Sequence, residues 1–85
     1  MSEGSYVIAF DSTHAALAAA SALEARGARM MPTPRAISAG CGMSLRFDVA
    51  TDDAAQAFVE PVSDVCGHAT LYVQQGQTYR LVAPL

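Results

Sequence analysis

The alternation of apolar and polar residues predicts a domain of five strands and two helices. The apolar, β-prone run Ser5–Phe10 is typical of a first strand, and Met43–Val49 alternates with the period of two expected of a half-buried strand. Three further strand-like segments are Ala28–Met31, Ala69–Gln74 and Gln77–Val82.

The first helix is predicted from an alanine-rich segment. Asp11, Ser12 and Thr13 form an N-cap cluster, and the segment continues to Arg26. Alanine has the highest intrinsic helix propensity, and Gly27 can adopt the left-handed conformation that ends a helix. On a helical wheel the expected buried face consists of Ala16, Leu17, Ala20 and Leu23.

The second helix is predicted to begin after Thr51 and to run to about Cys66, with Gly67 as its C-terminal stop. Pro61 removes one backbone donor and clashes with the preceding turn, so we expect a kink or a restart there. The expected buried face consists of Ala54, Phe58, Val62 and Val65.

This element order predicts an α+β ferredoxin-like fold, a β-α-β-β-α-β sandwich of one sheet and two helices with an extra C-terminal strand. We expect each helix to link strands that can pair in parallel, and a tight hairpin at Gln75-Gly76 to join the last two strands. A small open α/β sheet with another strand order is the alternative. The length of 85 residues fits one domain over residues 1–85.

The composition excludes several classes of protein but does not identify a function. The chain is 52% hydrophobic and 15% charged, with 17 alanines, no lysine and a net charge of −3. This acidic balance argues against nucleic-acid binding, and no apolar run approaches the roughly 20 residues that span a bilayer. The N-terminal residues Met1–Ser5 lack the basic residues of an export signal. With two cysteines, the expected location is a reducing cytoplasm.

The segment Met31–Gly42 contains the strongest candidate for chemistry, because Cys41 lies between Gly40 and Gly42. A reactive thiolate needs access, positive potential and room, and flanking glycines allow backbone amides to form an anion-binding nest. Arg35 is the nearest cation in sequence, and Ser38 provides a hydroxyl donor. The alternative is that Cys41 is a small buried core residue and Arg35 a solvated loop cation.

Two motifs resemble those of a known family. Phe10-x-Ser12-Thr13-His14-x-Ala16-Leu17 followed by Pro34-Arg35-x-Ile37-Ser38-x-x-Cys41-Gly42 is similar to the pattern of the DUF3343 family of selenium/sulfur carrier-like proteins. The resemblance covers roughly residues 6–47 and, more loosely, the whole length.

The resemblance implies that Cys41 is a carrier thiol holding sulfur or selenium as a persulfide or selenosulfide. The implied partners are a donor, such as a cysteine desulfurase, and an acceptor protein, and the implied mechanism needs no cofactor. Carried over by position, Arg35, Ser38 and Gly42 form the loop around this thiol.

The other titratable residues leave alternatives open. His14 is either a surface residue near the first N-cap or a ligand-binding residue beside the loop. Cys66 is either structural, a resolving thiol or a disulfide partner of Cys41. Cys41 and Cys66 lack the close Cys-x-x-Cys spacing of zinc sites, so we predict no metal site even with His14 and His68 added.

Three functional hypotheses follow. The first is a non-catalytic sulfur/selenium carrier that uses Cys41. The second is a small-molecule-binding or regulatory ferredoxin-like module, and the third is an interaction or oligomerisation domain, for example of a homo-oligomer, both without thiol chemistry. Exposure and acidity of the Cys41 thiol separate the first hypothesis from the others.

Overall fold

The computed structural model describes residues 4–37, 42–62 and 69–85. These segments form five strands and two α-helices in the order β-α-β-β-α-β-β. The strands are β1 (Gly4–Ala9), β2 (Arg29–Pro32), β3 (Met43–Val49), β4 (Thr70–Gln75) and β5 (Thr78–Pro84), and the helices are α1 (Thr13–Leu23) and α2 (Asp52–Val59).

The strands form one sheet in the order β2-β3-β1-β4-β5, and every neighbouring pair is antiparallel. This architecture confirms the α+β ferredoxin-like prediction, with the extra strand β5 at the edge beside β4. The strands that each helix joins run in the same direction, but one antiparallel strand lies between them. The expectation that they pair directly is therefore wrong. A helix is about 10 Å across and strands lie about 4.8 Å apart, so a helix lying on the sheet spans two strand spacings.

Helix α1 begins and ends where its capping residues predict. The Ser12 side chain accepts a hydrogen bond of 3.1 Å from the Ala15 amide. A turn of 3-10 helix, Glu24–Arg26, extends α1, and Gly27 follows with φ of 103°. Because that φ lies in the left-handed region, glycine is the residue best suited to end this helix.

The buried face of α1 differs from the predicted face at three residues, because Leu17 is exposed and Ala15 and Ala19 are buried in addition. Leu17 is 55% exposed, so its predicted burial is wrong, whereas Leu23 is fully buried as expected. Most of this helix is alanine, so its apolar pattern does not select a single face. The buried residues of α1 are Ala15, Ala16, Ala19, Ala20 and Leu23.

Helix α2 begins after Thr51, whose hydroxyl accepts a hydrogen bond of 3.0 Å from the Ala54 amide. The α-helix ends at Val59, and Pro61 lies in the 3-10 turn Glu60–Val62, which confirms the predicted change at the proline. The predicted continuation to Cys66 and the stop at Gly67 lie outside the described residues.

The buried face of α2 is shifted by one position from the prediction. Ala55, Val59 and Val62 are buried, whereas Ala54 and Phe58 are half-buried. The prediction is thus right for Val62 and wrong for full burial of Ala54 and Phe58, and Val65 lies outside the described residues. Phe58 still contributes to packing, because its ring stacks on Phe47 at 4.1 Å between centroids.

The β4–β5 hairpin turns one residue later than predicted. Gln75 pairs with Thr78, so Gly76 and Gln77 form the two-residue loop. Gly76 has φ of 65°, and glycine with positive φ at the first loop position is typical of a type II′ hairpin turn.

The two faces of the sheet have different surroundings. The helices cover one face, whose buried strand residues are Tyr6, Ile8, Leu45, Phe47, Leu71 and Val73. Because side chains alternate along a strand, Ser5, Arg46 and Gln74 lie on the opposite face. We call this second surface the open face.

Candidate functional site

The loop between β2 and β3 is closed at its base by a backbone hydrogen bond. The Thr33 amide donates to the Gly42 carbonyl at 3.0 Å. A turn follows within the loop, where the Ile37 amide donates to the Pro34 carbonyl at 3.0 Å. The described parts of this loop are therefore a closed base and a turn that contains Arg35, whose side chain is exposed.

A pair of hydroxyl groups ties the base of the loop to the sheet. Thr33 Oγ1 and Ser44 Oγ are 2.7 Å apart and share a hydrogen bond, and Ser44 is fully buried. A buried hydroxyl needs a partner, and Thr33 provides it. The sequence pattern predicts a role for neither residue; the available signals are a threonine between Pro32 and Pro34 and a serine inside strand β3.

The α-carbon of Gly42 lies close to the Thr33 side chain. A β-carbon at Gly42 would lie 3.3 Å from Thr33 Oγ1 and 3.7 Å from the Phe10 carbonyl oxygen. The predicted loop residue Gly42 therefore occupies a position where a side chain has little room.

The base of this loop and the start of α1 lie at the same end of the sheet. Ala9, the last residue of β1, pairs with Ser44, and the Phe10 amide donates to the Met43 carbonyl at 3.3 Å. The chain then enters α1 through its N-cap, Ser12. The first turn of α1 contains no acidic residue, and the nearest carboxylate in the chain is Asp11, which directly precedes the N-cap.

His14 lies in this first turn, and its side chain is exposed. Across the described segments, no hydrogen bond joins His14 to Arg35 or to Gly42. The structure thus places these three predicted site residues at one end of the fold without joining them directly. The other predicted site residues, Ser38, Gly40 and Cys41, lie outside the described residues, as do Cys66 and His68.

A second polar cluster links β1, β5 and α2 away from this loop. The Tyr6 hydroxyl donates to Asp52 Oδ1 at 2.7 Å, and Arg80 Nη2 donates to Asp52 Oδ2 at 2.9 Å. Burial and the hydrogen bond to Asp52 raise the pKa of Tyr6 to about 12. Hydrogen bonds from Tyr6 and from Arg80 hold the pKa of Asp52 below its usual value. The sequence pattern alone identifies Asp52 only as an acidic residue in the first turn of α2, because its partners are distant in the chain.

Tyr6 also begins a row of stacked rings. Its ring lies 5.8 Å from that of Phe47, which in turn stacks on Phe58. The Arg26 guanidinium lies 4.6 Å from the centroid of Phe58, and Arg26 Nη1 donates to the Phe58 carbonyl at 2.9 Å. These contacts join the two helices to the sheet, so we interpret the cluster as structural.

No metal centre is found in the part of the chain that the structure describes, since no three potential His, Cys, Asp or Glu ligands come together there. In residues 4–37, 42–62 and 69–85, no helix is long and apolar enough to cross a membrane.

Comparison with known protein families identifies the family of this chain. The model of the family described as "Putative Se/S carrier protein-like" matches residues 5–63, a segment that includes the whole β2–β3 loop. No curated protein and no solved structure matches the chain significantly. Because the matched segment covers more than half of the chain, the protein belongs to the Se/S carrier protein-like family.

Proposed function

We propose that the protein is a small sulfur or selenium carrier that holds its cargo on Cys41 as a persulfide or selenosulfide. The observation that carries the proposal is the family match over residues 5–63, since that segment contains both Cys41 and the loop around it. Because the family is described as a carrier, we favour a protein that binds cargo and transfers it, rather than an enzyme that converts a substrate.

The geometry at the base of the β2–β3 loop supports this assignment. Cys41 directly precedes Gly42 in the chain, and Gly42 is held by the Thr33 amide at 3.0 Å. The Thr33–Ser44 hydrogen bond fixes Thr33 in turn. Anchoring Gly42 limits the freedom of the chain next to Cys41, and less freedom to lose on docking favours transfer of cargo to a partner protein.

The exposed polar side chains near this loop also suit an anionic sulfur species. The side chains of Arg35 and His14 are both exposed, so solvent and cargo can reach them. We propose that Arg35, Ser38, Gly40, Gly42 and His14 line the site around Cys41. A cation or a set of amide donors near a thiol lowers its pKa and stabilises the persulfide anion.

The proposed transfer step is a thiol exchange that needs no cofactor. The Cys41 thiolate attacks the outer sulfur of a donor persulfide, forming a new S–S bond to Cys41 and breaking the S–S bond of the donor. The donor cysteine leaves as a thiolate, and the proton of its terminal S–H group stays on the transferred sulfur. Delivery repeats the same exchange, with the acceptor thiolate as the nucleophile and Cys41 as the leaving group.

The proposed partners are a cysteine desulfurase or another sulfur or selenium donor, and an acceptor protein, in the cytoplasm. The net charge of −3 and the absence of lysine favour protein partners over nucleic acid.

The experiment is sulfur loading followed by intact-mass measurement. The reduced protein is incubated with a cysteine desulfurase, its cofactor and cysteine, and its mass is recorded before and after reductant. We expect a reductant-labile gain of one sulfur atom in the wild type and in Cys66→Ser, and no gain in Cys41→Ser.

Cys66→Ser is the matched control, because it removes the other thiol of the chain. Sulfur loading of Cys41→Ser but not of Cys66→Ser would show that Cys66, and not Cys41, is the carrier thiol. No adduct in any variant, together with slow alkylation of Cys41, would support the alternative of a ferredoxin-like binding module without thiol chemistry.

A further inference from the structure

The open face of the sheet carries a continuous chain of hydrogen bonds across three strands. Arg46 Nη2 donates to Ser5 Oγ and to Gln74 Oε1, each at 3.0 Å. Ser5 Oγ donates onward to Asp48 Oδ1 at 2.8 Å, and Gln74 Nε2 donates to the Gly76 carbonyl at 3.0 Å. These contacts hold the Arg46 side chain in one position over the centre of the sheet.

The Arg46 guanidinium keeps unused hydrogen-bonding capacity. Its two contacts occupy both protons of Nη2, and the remaining three of its five N–H donors have no partner among residues 4–37, 42–62 and 69–85. Both acceptors of Nη2, the Ser5 hydroxyl and the Gln74 amide, are uncharged. The network therefore orients the guanidinium without neutralising it.

A second arginine increases the positive potential at this place. Arg29 of β2 is the direct cross-strand partner of Arg46, and like charges in that relation destabilise a sheet. In the described part of the chain, the ion pair within 4 Å is Arg80–Asp52, and it involves neither of these arginines. The nearest acid in the network, Asp48, is bonded to Ser5. Among the described residues, the open face thus has a local excess of positive charge, in a chain whose net charge is −3.

These groups border an open depression of about 340 Å³, lined by Gly4, Ser5, Arg46, Gln74 and Gly76. Two of the five lining residues are glycines, and a β-carbon at Gly76 would meet no atom within 4 Å. The lack of a side chain at Gly76 keeps this edge of the depression open, and the Arg46 side chain is itself exposed to solvent. The volume is sufficient for a small molecule, and the lining is mainly polar.

We propose that this depression binds a small oxyanion, such as a phosphate, sulfate or carboxylate group, with Arg46 as the principal ligand. Charge-assisted hydrogen bonds from a fixed guanidinium to an oxyanion are stronger than neutral ones, and fixing the side chain in advance reduces the entropy lost on binding. An anion here also offsets the repulsion between Arg46 and Arg29. This site lies on the open face, so it does not depend on Cys41 or on the carrier function.

The test is a titration of the full-length protein with sodium phosphate, sodium sulfate and sodium acetate, followed by amide chemical shifts in NMR spectra. Sodium chloride at matched ionic strength is the reference. We expect saturable shifts at Ser5, Arg46, Gln74 and Gly76 that chloride does not reproduce. Phosphate and sulfate binding tighter than acetate would identify a tetrahedral group as the preferred ligand, and the reverse would identify a carboxylate.

Three variants make the test specific. Arg46→Gln should weaken binding by about tenfold or more, because it removes the charge and the guanidinium donors. Arg29→Gln should weaken it by a smaller factor, since Arg29 acts through its charge. Arg80→Gln, a change to an exposed arginine on another surface, should leave binding unchanged.

Shifts that follow ionic strength equally for chloride and the oxyanions would overturn the proposal. Equal affinity of wild type and folded Arg46→Gln would do the same. Shifts that change with protein concentration instead of anion concentration would indicate self-association through the open face, and would also exclude this site.

Discussion

The Thr33 amide donates a hydrogen bond of 3.0 Å to the Gly42 carbonyl, and this contact joins the two ends of the β2–β3 loop. The same threonine uses its hydroxyl group to bind buried Ser44 at 2.7 Å. Thr33 therefore links the loop that contains Cys41 to the interior of the sheet through both its backbone and its side chain.

Replacing Gly42 by alanine should destabilise the fold through a steric contact. The added β-carbon would lie 3.3 Å from Thr33 Oγ1, a distance at which one of the two must move. Overpacking by a single methyl group costs on the order of 1 kcal/mol. Urea unfolding of Gly42→Ala should show a loss of this size, without a change in the slope of the transition.

The control is the same substitution in a Thr33→Ala background, where Oγ1 is absent. Gly42→Ala should then cost less than half as much. An equal cost in both backgrounds would show that the contact with Thr33 is not the cause.

Removing the Thr33 hydroxyl should cost more folding stability than removing the Ser44 hydroxyl. Thr33→Val keeps the shape of the side chain but leaves the Ser44 hydroxyl buried without its partner, which costs about 1–3 kcal/mol. Ser44→Ala leaves the hydroxyl of half-buried Thr33 within reach of water, so the expected cost is smaller, about 1 kcal/mol.

A double-mutant cycle measures the coupling between the two hydroxyl groups. The double variant Thr33→Val, Ser44→Ala should be more stable than the sum of the two single losses predicts. Strict additivity in urea unfolding would indicate that the 2.7 Å contact contributes nothing to stability.

The features that could be predicted from the sequence are those with local causes. Ser12 and Thr51 mark the starts of α1 and α2 because their side chains bind amides three residues later. Gly27 marks the end of the first helical segment because its φ is 103°. Element order follows from such local signals, and the ferredoxin-like fold follows from the element order.

The features that were missed depend on packing between distant segments. Leu17 was assigned to the buried face of α1, yet the fold buries alanines on that helix because they allow close approach to the sheet. The positions of Thr33 and Ser44, and of Tyr6 and Asp52, are set by strand pairing and helix docking, which no local pattern encodes. The part of the site around Cys41 stays a prediction from sequence and family.

Alkaline pH should destabilise the fold through Tyr6. The pKa of this phenol is about 12 in the folded protein against an ordinary value of 10.0, so the folded state holds the proton more tightly. This contribution is fully present below pH 10 and is lost as the pH rises from 10 towards 12. The midpoint of urea unfolding should fall over that range in the wild type.

Tyr6→Phe should reduce this alkaline dependence, although the variant also loses its hydrogen bond to Asp52 at neutral pH. Tyr79→Phe is the matched control, because Tyr79 is a half-buried tyrosine of β5. If Tyr6→Phe and wild type lose stability in parallel above pH 10, the alkaline effect comes from another group.

Acidic pH should destabilise the fold through Asp52. Hydrogen bonds from Tyr6 and from Arg80 lower the pKa of this carboxyl group below its ordinary value of 3.8. Its contribution to stability is therefore present above pH 3.8 and is lost as the pH falls through the lower, folded-state pKa. The Asp52 side chain is 40% exposed, so solvent screens these interactions and the expected effect is modest.

An NMR titration of the Asp52 carboxyl carbon measures this pKa directly. Tyr6→Phe and Arg80→Gln should each raise the pKa, because Tyr6 donates the hydrogen bond that is the largest single cause, and Arg80 contributes a hydrogen bond and its positive charge. Asp53→Asn removes a carboxylate from the same helical turn and leaves both hydrogen bonds to Asp52 intact, so it serves as the control. A larger rise in Arg80→Gln than in Tyr6→Phe would show that the 2.9 Å ion pair, rather than the 2.7 Å bond from Tyr6, controls the ionisation of Asp52.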